Sequence, residues 1–128
     1  MAVRRETRLW WEQAKRDFRV AQRNHANRDY DVAVFLCEQA VQKALKAVTI
    51  HVTDREPPKI HNLVEPGRLA GVPKSMGDFM AELSPHYMLT RYPDAAGALT
   101  SDLYTGRMSL HFIRGTRKVF AWARRRLR

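Results

Sequence analysis

The chain has 128 residues, 45% of them hydrophobic, and a formal net charge of +10. That length suits a single domain over residues 1–128 with a core that needs neither disulfides nor metals, and the content argues against disorder. No apolar run approaches the roughly 20 residues that span a bilayer, and the opening MAVRRETRLWW has no signal-peptide core, so the expectation is a cytoplasmic protein with no membrane association.

The charge is unevenly spread. Residues 1–28 hold eight basic and three acidic side chains, residues 29–102 seven and ten, and residues 103–128 eight and none. The excess positive charge therefore lies on the two ends of the chain, a distribution that attracts polyanions such as nucleic acid and equally serves an acidic protein partner. Arginine outnumbers lysine 17 to 6, which favours bidentate contact with phosphate or carboxylate, though a biased genome or a heat-adapted host produces the same ratio.

Residues 5–27 repeat apolar positions at Trp11, Ala14, Phe18 and Ala21, then His25, the spacing of an amphipathic helix, with Trp10 and Leu9 widening its face. Arg16, Arg19 and Arg23 fall on its polar side. A short turn follows, and Asp29 or Asp31 can cap the next helix. Residues 29–51 make that helix, the centre of the predicted fold. Ala33, Leu36, Cys37, Ala40, Ala44 and Ala47 fill one arc, while Tyr30, Val34, Val41, Leu45 and Val48 fill the arc beside it. Glu38, Gln39, Gln42, Lys43 and Lys46 are left as a polar seam. Cys37, the single cysteine, sits among the small apolar residues and reads as core in a reducing compartment.

Residues 52–59 form a proline-fixed loop. Residues 61–70 read as a short helix interrupted or restarted at Pro66-Gly67, and residues 74–83 as another, with Met76, Phe79, Met80 and Leu83 inward. Pro85 can begin a further turn through Tyr87 and Leu89, and Arg91-Tyr92-Pro93-Asp94 reads as a loop with Tyr92 extended. Residues 95–103 are poorly patterned and read as a mobile excursion. Thr105 is a plausible N-cap for a last long helix inward at Met108, Phe112, Val119, Trp122 and Ala123, within which Gly115 marks close packing or a kink. The predicted fold is all-α: an up-and-down four-helix-type bundle of about five helices, one short or broken, with a loop before the last long helix.

Residues 33–47, read as A-x-F-x-x-E-Q-A-x-Q-K-A-L-K-A, resemble the signature helix of the HEPN family (higher eukaryotes and prokaryotes nucleotide-binding domain). His61-Asn62-Leu63 is similar to that family's His-x-Leu helix start, and Tyr87 with Arg91-Tyr92-Pro93 to its Tyr-x-x-x-Arg-Tyr-Pro segment. The chain departs from the family at Glu38-Gln39-Ala40-Val41-Gln42-Lys43, where Gln-Gln-Ala-x-Glu-Lys is usual. The resemblance implies a dimeric helical platform of the compact prokaryotic kind, paired with a small nucleotidyltransferase in a two-component, toxin–antitoxin-like system. It also implies nucleotide or RNA as ligand.

Many members of the wider superfamily are metal-independent RNases with four to six residues between an Arg and a following His. Here Arg107 and His111 have only three residues between them, so they are either a substitute for that motif or a surface pair on a cationic helix. His86 and Arg91 have the right gap in the reverse order. The better candidate for nucleotide or partner binding is the group His86, Tyr87, Arg91 and Tyr92, with Lys43 and Lys46 able to reach the same seam. In the structural alternative, Arg91 pairs with Glu38. The expected electrostatic contacts to nucleic acid are Arg16, Arg19, Arg23, Arg117, Arg124, Arg125 and Arg126. No cofactor or metal site is expected, since the five histidines are scattered and no paired-cysteine or phosphate-loop motif is present.

Overall fold

The computed structural model describes residues 4–60 and 62–128, so the expected helix-start role of His61 lies outside the described residues. Helices α1 (Arg5–Ala26) and α2 (Tyr30–Thr53) are joined by a turn in which Arg28 takes a left-handed φ of 66°. They pack antiparallel. Arg4 meets Asp54, Lys46 lies over Trp10, and Lys43 meets Asp17, so contacts descend along α2 as they ascend along α1. Asp29 stands at the N-cap of α2 without making a side-chain cap bond, and Asp31 instead accepts a hydrogen bond from Thr100 Oγ1 at 2.8 Å. The two expected capping residues are thus used elsewhere or not at all.

The predicted apolar arcs of α2 are buried at Ala33, Val34, Cys37, Ala40, Val41, Ala44, Leu45, Ala47 and Val48, with Tyr30 and Leu36 partly buried against them. Truncating a residue such as Leu45 to alanine in so enclosed a helix costs about 2–5 kcal/mol.

The third limb is built from pieces. α3 (Val64–Ala70) begins where Asn62 Oδ1 accepts the amides of Val64 and Glu65, and it runs through Pro66 and Gly67 without interruption, contrary to the expected break. Proline in a first turn lacks only an amide that would be unpaired anyway, which is why the helix survives it. α4 (Lys74–Leu83) follows, then single turns α5 (His86–Leu89), α6 (Pro93–Ala96) and α7 (Thr100–Leu103). The expected excursion over residues 95–103 is therefore ordered: Gly97 ends α6 at a φ of 74°, and the Thr100–Asp31 bond ties α7 to α2.

α8 (Gly106–Arg126) is capped as expected, with Thr105 Oγ1 accepting the Met108 amide at 3.2 Å. It runs antiparallel to α4 and α1, since Phe79 meets Gly115, Glu82 meets His111, Phe18 meets Phe120 and His25 meets Ser109. Gly115 proves to be a packing residue, because a Cβ there would collide with the Phe79 ring. The result is the expected up-and-down bundle, with no strand among the described residues.

Candidate functional site

Arg91 follows α5 and projects its guanidinium over three rings: Tyr87 at 5.1 Å, Tyr92 at 5.2 Å and Phe35 at 5.3 Å from the ring centres. Pro93 explains part of this geometry. It holds Tyr92 extended, at φ −120° and ψ 109°, so that the chain turns back and brings Tyr92 to the same guanidinium as Tyr87. Each such contact is worth about 0.5–1 kcal/mol at an exposed position, enough to pre-form an arginine without consuming its hydrogen-bond donors.

One turn along α2 from Phe35 lies Glu38, which is fully buried rather than part of an open polar seam. Its Oε1 accepts from Gln39 Nε2 at 2.8 Å, while its Oε2 has no hydrogen-bond partner among the described residues. Burial pushes the carboxyl up to about 7, and the Gln39 amide together with the charges of Lys43, Arg91 and Lys46 pulls it back only partly. Arg91 thus acts on Glu38 through space, and the expected direct pair is replaced by the aromatic cradle.

The remaining members of the expected cluster are drawn in other directions. His86 Nδ1 and the Tyr104 hydroxyl are hydrogen-bonded at 2.5 Å, and the His86 ring packs edge-on against Phe112, so burial lowers its pKa. Lys43 Nζ donates to the buried Asp17 Oδ2 at 2.5 Å, and Gln13 Nε2 donates to the other Asp17 oxygen at 3.0 Å. Lys46 Nζ lies 4.5 Å from the centre of the Trp10 ring, its pKa lowered by burial and by Lys43. Of the residues expected to share one site, the structure brings together Tyr87, Arg91 and Tyr92, and adds Phe35 and Glu38.

The terminal arginines also divide. A groove of about 320 Å³ between α1 and α8 has Phe18 and Phe120 for its floor and Lys15, Arg19, Arg117 and Arg124 for its rim, with no carboxylate in the lining. Arg117 lies over Phe18 at 5.8 Å, and Arg124 and Lys15 lie over Trp11 at 5.9 and 5.6 Å. Arg16 and Arg23 are exposed on α1 and Arg125 on α8, none of them among the groove residues. Arg126 points toward Gly71 after α3.

His111 Nε2 is paired with Glu82 on α4 and lines a second cleft with Arg114 and Lys118, a cleft to which Arg107 does not contribute. Of the alternative pair Arg107 and His111, only His111 lines this cleft. Among the described residues there is no cluster of three or more potential metal ligands, and no helix is long and apolar enough to cross a membrane.

Sequence reasoning missed the burial of Glu38 and Asp17 and the partition of α8's basic residues. Glu38 was discoverable, because Val34, Glu38, Val41 and Leu45 form one line along α2 at the spacing of a buried stripe.

No curated protein matches the chain. Among solved structures, TT1696 from Thermus thermophilus is 29% identical with a TM-score of 0.84, over 97% of this chain and 100% of that one. ST0689, an archaeal HEPN homologue, is 24% identical with a TM-score of 0.81, over 95% of this chain and 98% of that one, a likeness of fold alone. The HEPN domain itself matches residues 7–126, which takes in all three long helices, the Arg91 cradle and both clefts of α8, and the protein belongs to the HEPN domain family.

Proposed function

We propose that this protein is a non-catalytic, homodimeric subunit that binds RNA or nucleotide and works with a small nucleotidyltransferase partner in a two-component system. The observation that carries the binding part is the α1–α8 groove, whose guanidiniums rest on aromatic rings with no carboxylate in the lining. Cations along such a groove track phosphates without reading sequence. The Arg91 cradle supplies a second, pre-formed guanidinium for a nucleotide phosphate or a partner carboxylate. The partner and the paired system rest on the family resemblance.

The test is anisotropy of a labelled single-stranded RNA across a salt series. Affinity falls with salt in proportion to the phosphates neutralised, about −0.7 log units per log unit of salt for each contact on a single strand. Arg117→Ala with Arg124→Ala flattens that slope by roughly one to one and a half units, while Arg126→Ala leaves it unchanged. A slope insensitive to Arg117 and Arg124 refutes the groove. Co-purification with a nucleotidyltransferase encoded beside this chain tests the partner, and Arg91→Ala tests whether the cradle serves it. The RNase alternative requires RNA cleavage that survives a chelator and is lost in His111→Ala. That outcome would replace the non-catalytic reading.

A further inference from the structure

α8 sends four of its arginines and lysines into two separate clefts. Arg117 and Arg124 face α1, whereas Arg114 and Lys118 line the cleft between α8 and α4. The second cleft encloses about 350 Å³, within the roughly 300–1,000 Å³ of sites that take small molecules. Its floor is Phe79, Met76 and Val119. Gly115 creates that floor, since the Phe79 ring occupies the space that any side chain at residue 115 would need. At one end His111 and Glu82 are paired across the two helices. Toward the other end are Lys118 on α8 and the hydroxyl-bearing Ser75 on α4.

These features specify a ligand with two unlike ends. An apolar floor with an aromatic ring favours a flat apolar body, and two cations one turn apart with a hydroxyl on the facing helix favour a compact anion of several acceptors. His111 and Lys118 lie two turns apart, roughly 10 Å along the axis at 1.5 Å per residue. That span takes a ring and an anion in line. We propose that the α4–α8 cleft is a binding site for a small planar aromatic compound bearing a phosphate monoester, its ring on Phe79 and its phosphate held by Arg114 and Lys118. The site stands apart from the α1–α8 groove and does not rest on RNA binding there.

Phenyl phosphate is the minimal probe, with adenosine and guanosine monophosphates as the nucleotide arm and inorganic phosphate as the arm without a ring. Calorimetric titration of the full chain shows saturable binding of phenyl phosphate, tighter than inorganic phosphate. Arg114→Ala and Lys118→Ala each weaken it about tenfold or more, the range for a lost charge-assisted contact. Arg124→Ala, in the other groove, leaves it unchanged, and helical circular dichroism confirms that each variant is folded. Phe79→Leu narrows the preference for phenyl phosphate over inorganic phosphate, a readout that loss of charge alone does not move. Tighter binding of the nucleoside monophosphates than of phenyl phosphate identifies a nucleotide as the source of the ring, and equal or weaker binding identifies a non-nucleotide phosphate ester. The proposal is overturned by no saturable binding of any aromatic phosphate, by inorganic phosphate binding as tightly as phenyl phosphate, or by affinity indifferent to Arg114 and Lys118.

Discussion

Replacing Glu38 with glutamine asks whether a buried acid sets the pH dependence of this fold. Glu38 is fully enclosed, with one oxygen bonded to Gln39 and the other without a hydrogen-bond partner among the described residues. Burial is the largest influence on it and raises its pKa from 4.5 to about 7, against the opposing pull of Gln39, Lys43, Arg91 and Lys46. The unfolded chain releases this proton near 4.5, whereas the folded chain keeps it until about 7. Between those values the native state holds more protons than the unfolded one, so stability is full below about 4.5 and is lost as pH rises through about 7. At 1.36 kcal/mol per unit, the loss comes to about 3 kcal/mol, a large share of the roughly 5–15 kcal/mol that holds a domain together.

Glutamine preserves the shape and cannot ionise. Glu38→Gln therefore removes this downward slope and leaves the protein more stable than wild type at about pH 8, by up to about 3 kcal/mol. His86 works in the opposite sense. Its folded pKa is lowered by burial, so its contribution is present above the unfolded value of 6.5 and is lost as pH falls through the folded one. Both proteins retain His86, and the difference between them isolates Glu38. Urea titrations at about pH 5 to 8 read the two stabilities, below the range in which Cys37 and Tyr104, both raised to about 12, contribute. Parallel pH profiles in the two proteins would refute a buried, proton-holding Glu38.

Gly115→Ala destabilises by about 1–3 kcal/mol through overpacking against Phe79, despite alanine's better helix propensity, and pairing it with Phe79→Leu recovers part of the loss in thermal melts. Lys43→Met leaves the buried Asp17 with Gln13 as its one side-chain partner among the described residues and costs roughly 3 kcal/mol, more than at an exposed pair; a loss below about 1 kcal/mol in urea titration would show that Asp17 does not depend on Lys43. Light scattering of a homodimer gives about twice the 14.9 kDa chain mass, and a clean monomer rejects that assembly.

The long helices were legible because their periodicity is local information. α2 carries two apolar arcs in sequence and buries both, and Thr105 announces α8 by chemistry that requires only its own backbone. Other features depended on partners far away along the chain. Nothing near residue 100 says that Thr100 will bond Asp31, yet that bond helps to turn a poorly patterned stretch into α7. Gly115 offered packing or a kink with equal force, and only the arrival of Phe79 from α4 decides between them. Similarly, Tyr87, Arg91 and Tyr92 are near neighbours in sequence and meet around one guanidinium, while His86 is drawn away to Tyr104 and Phe112, a setting that only the folded bundle creates. Trp11 likewise meets Phe120 of α8, a contact that its place in α1 alone could not foretell.

The disposition of the acids leaves several cations of α1 and α8 without a carboxylate partner among the described residues. In α1, Glu6 meets Arg4, Glu12 meets Lys15, and Asp17 turns inward to a lysine of α2. α8 has no acidic residue of its own, and the carboxylate that reaches it across a helix pair is Glu82, at His111. Consequently Arg19, Arg117 and Arg124 enter no ion pair among the described residues, and the rings beneath Arg117 and Arg124 hold those two in place without neutralising them. An arginine paired with a carboxylate must give up that partner to bind phosphate, which subtracts from the gain. One resting on a ring keeps its charge and its donors available. The same charge placed in ion pairs would give an equal pI with a weaker dependence of polyanion binding on salt. The burial of Asp17 inside the bundle and the electrostatic character of the α1–α8 groove outside it are therefore two results of one packing arrangement.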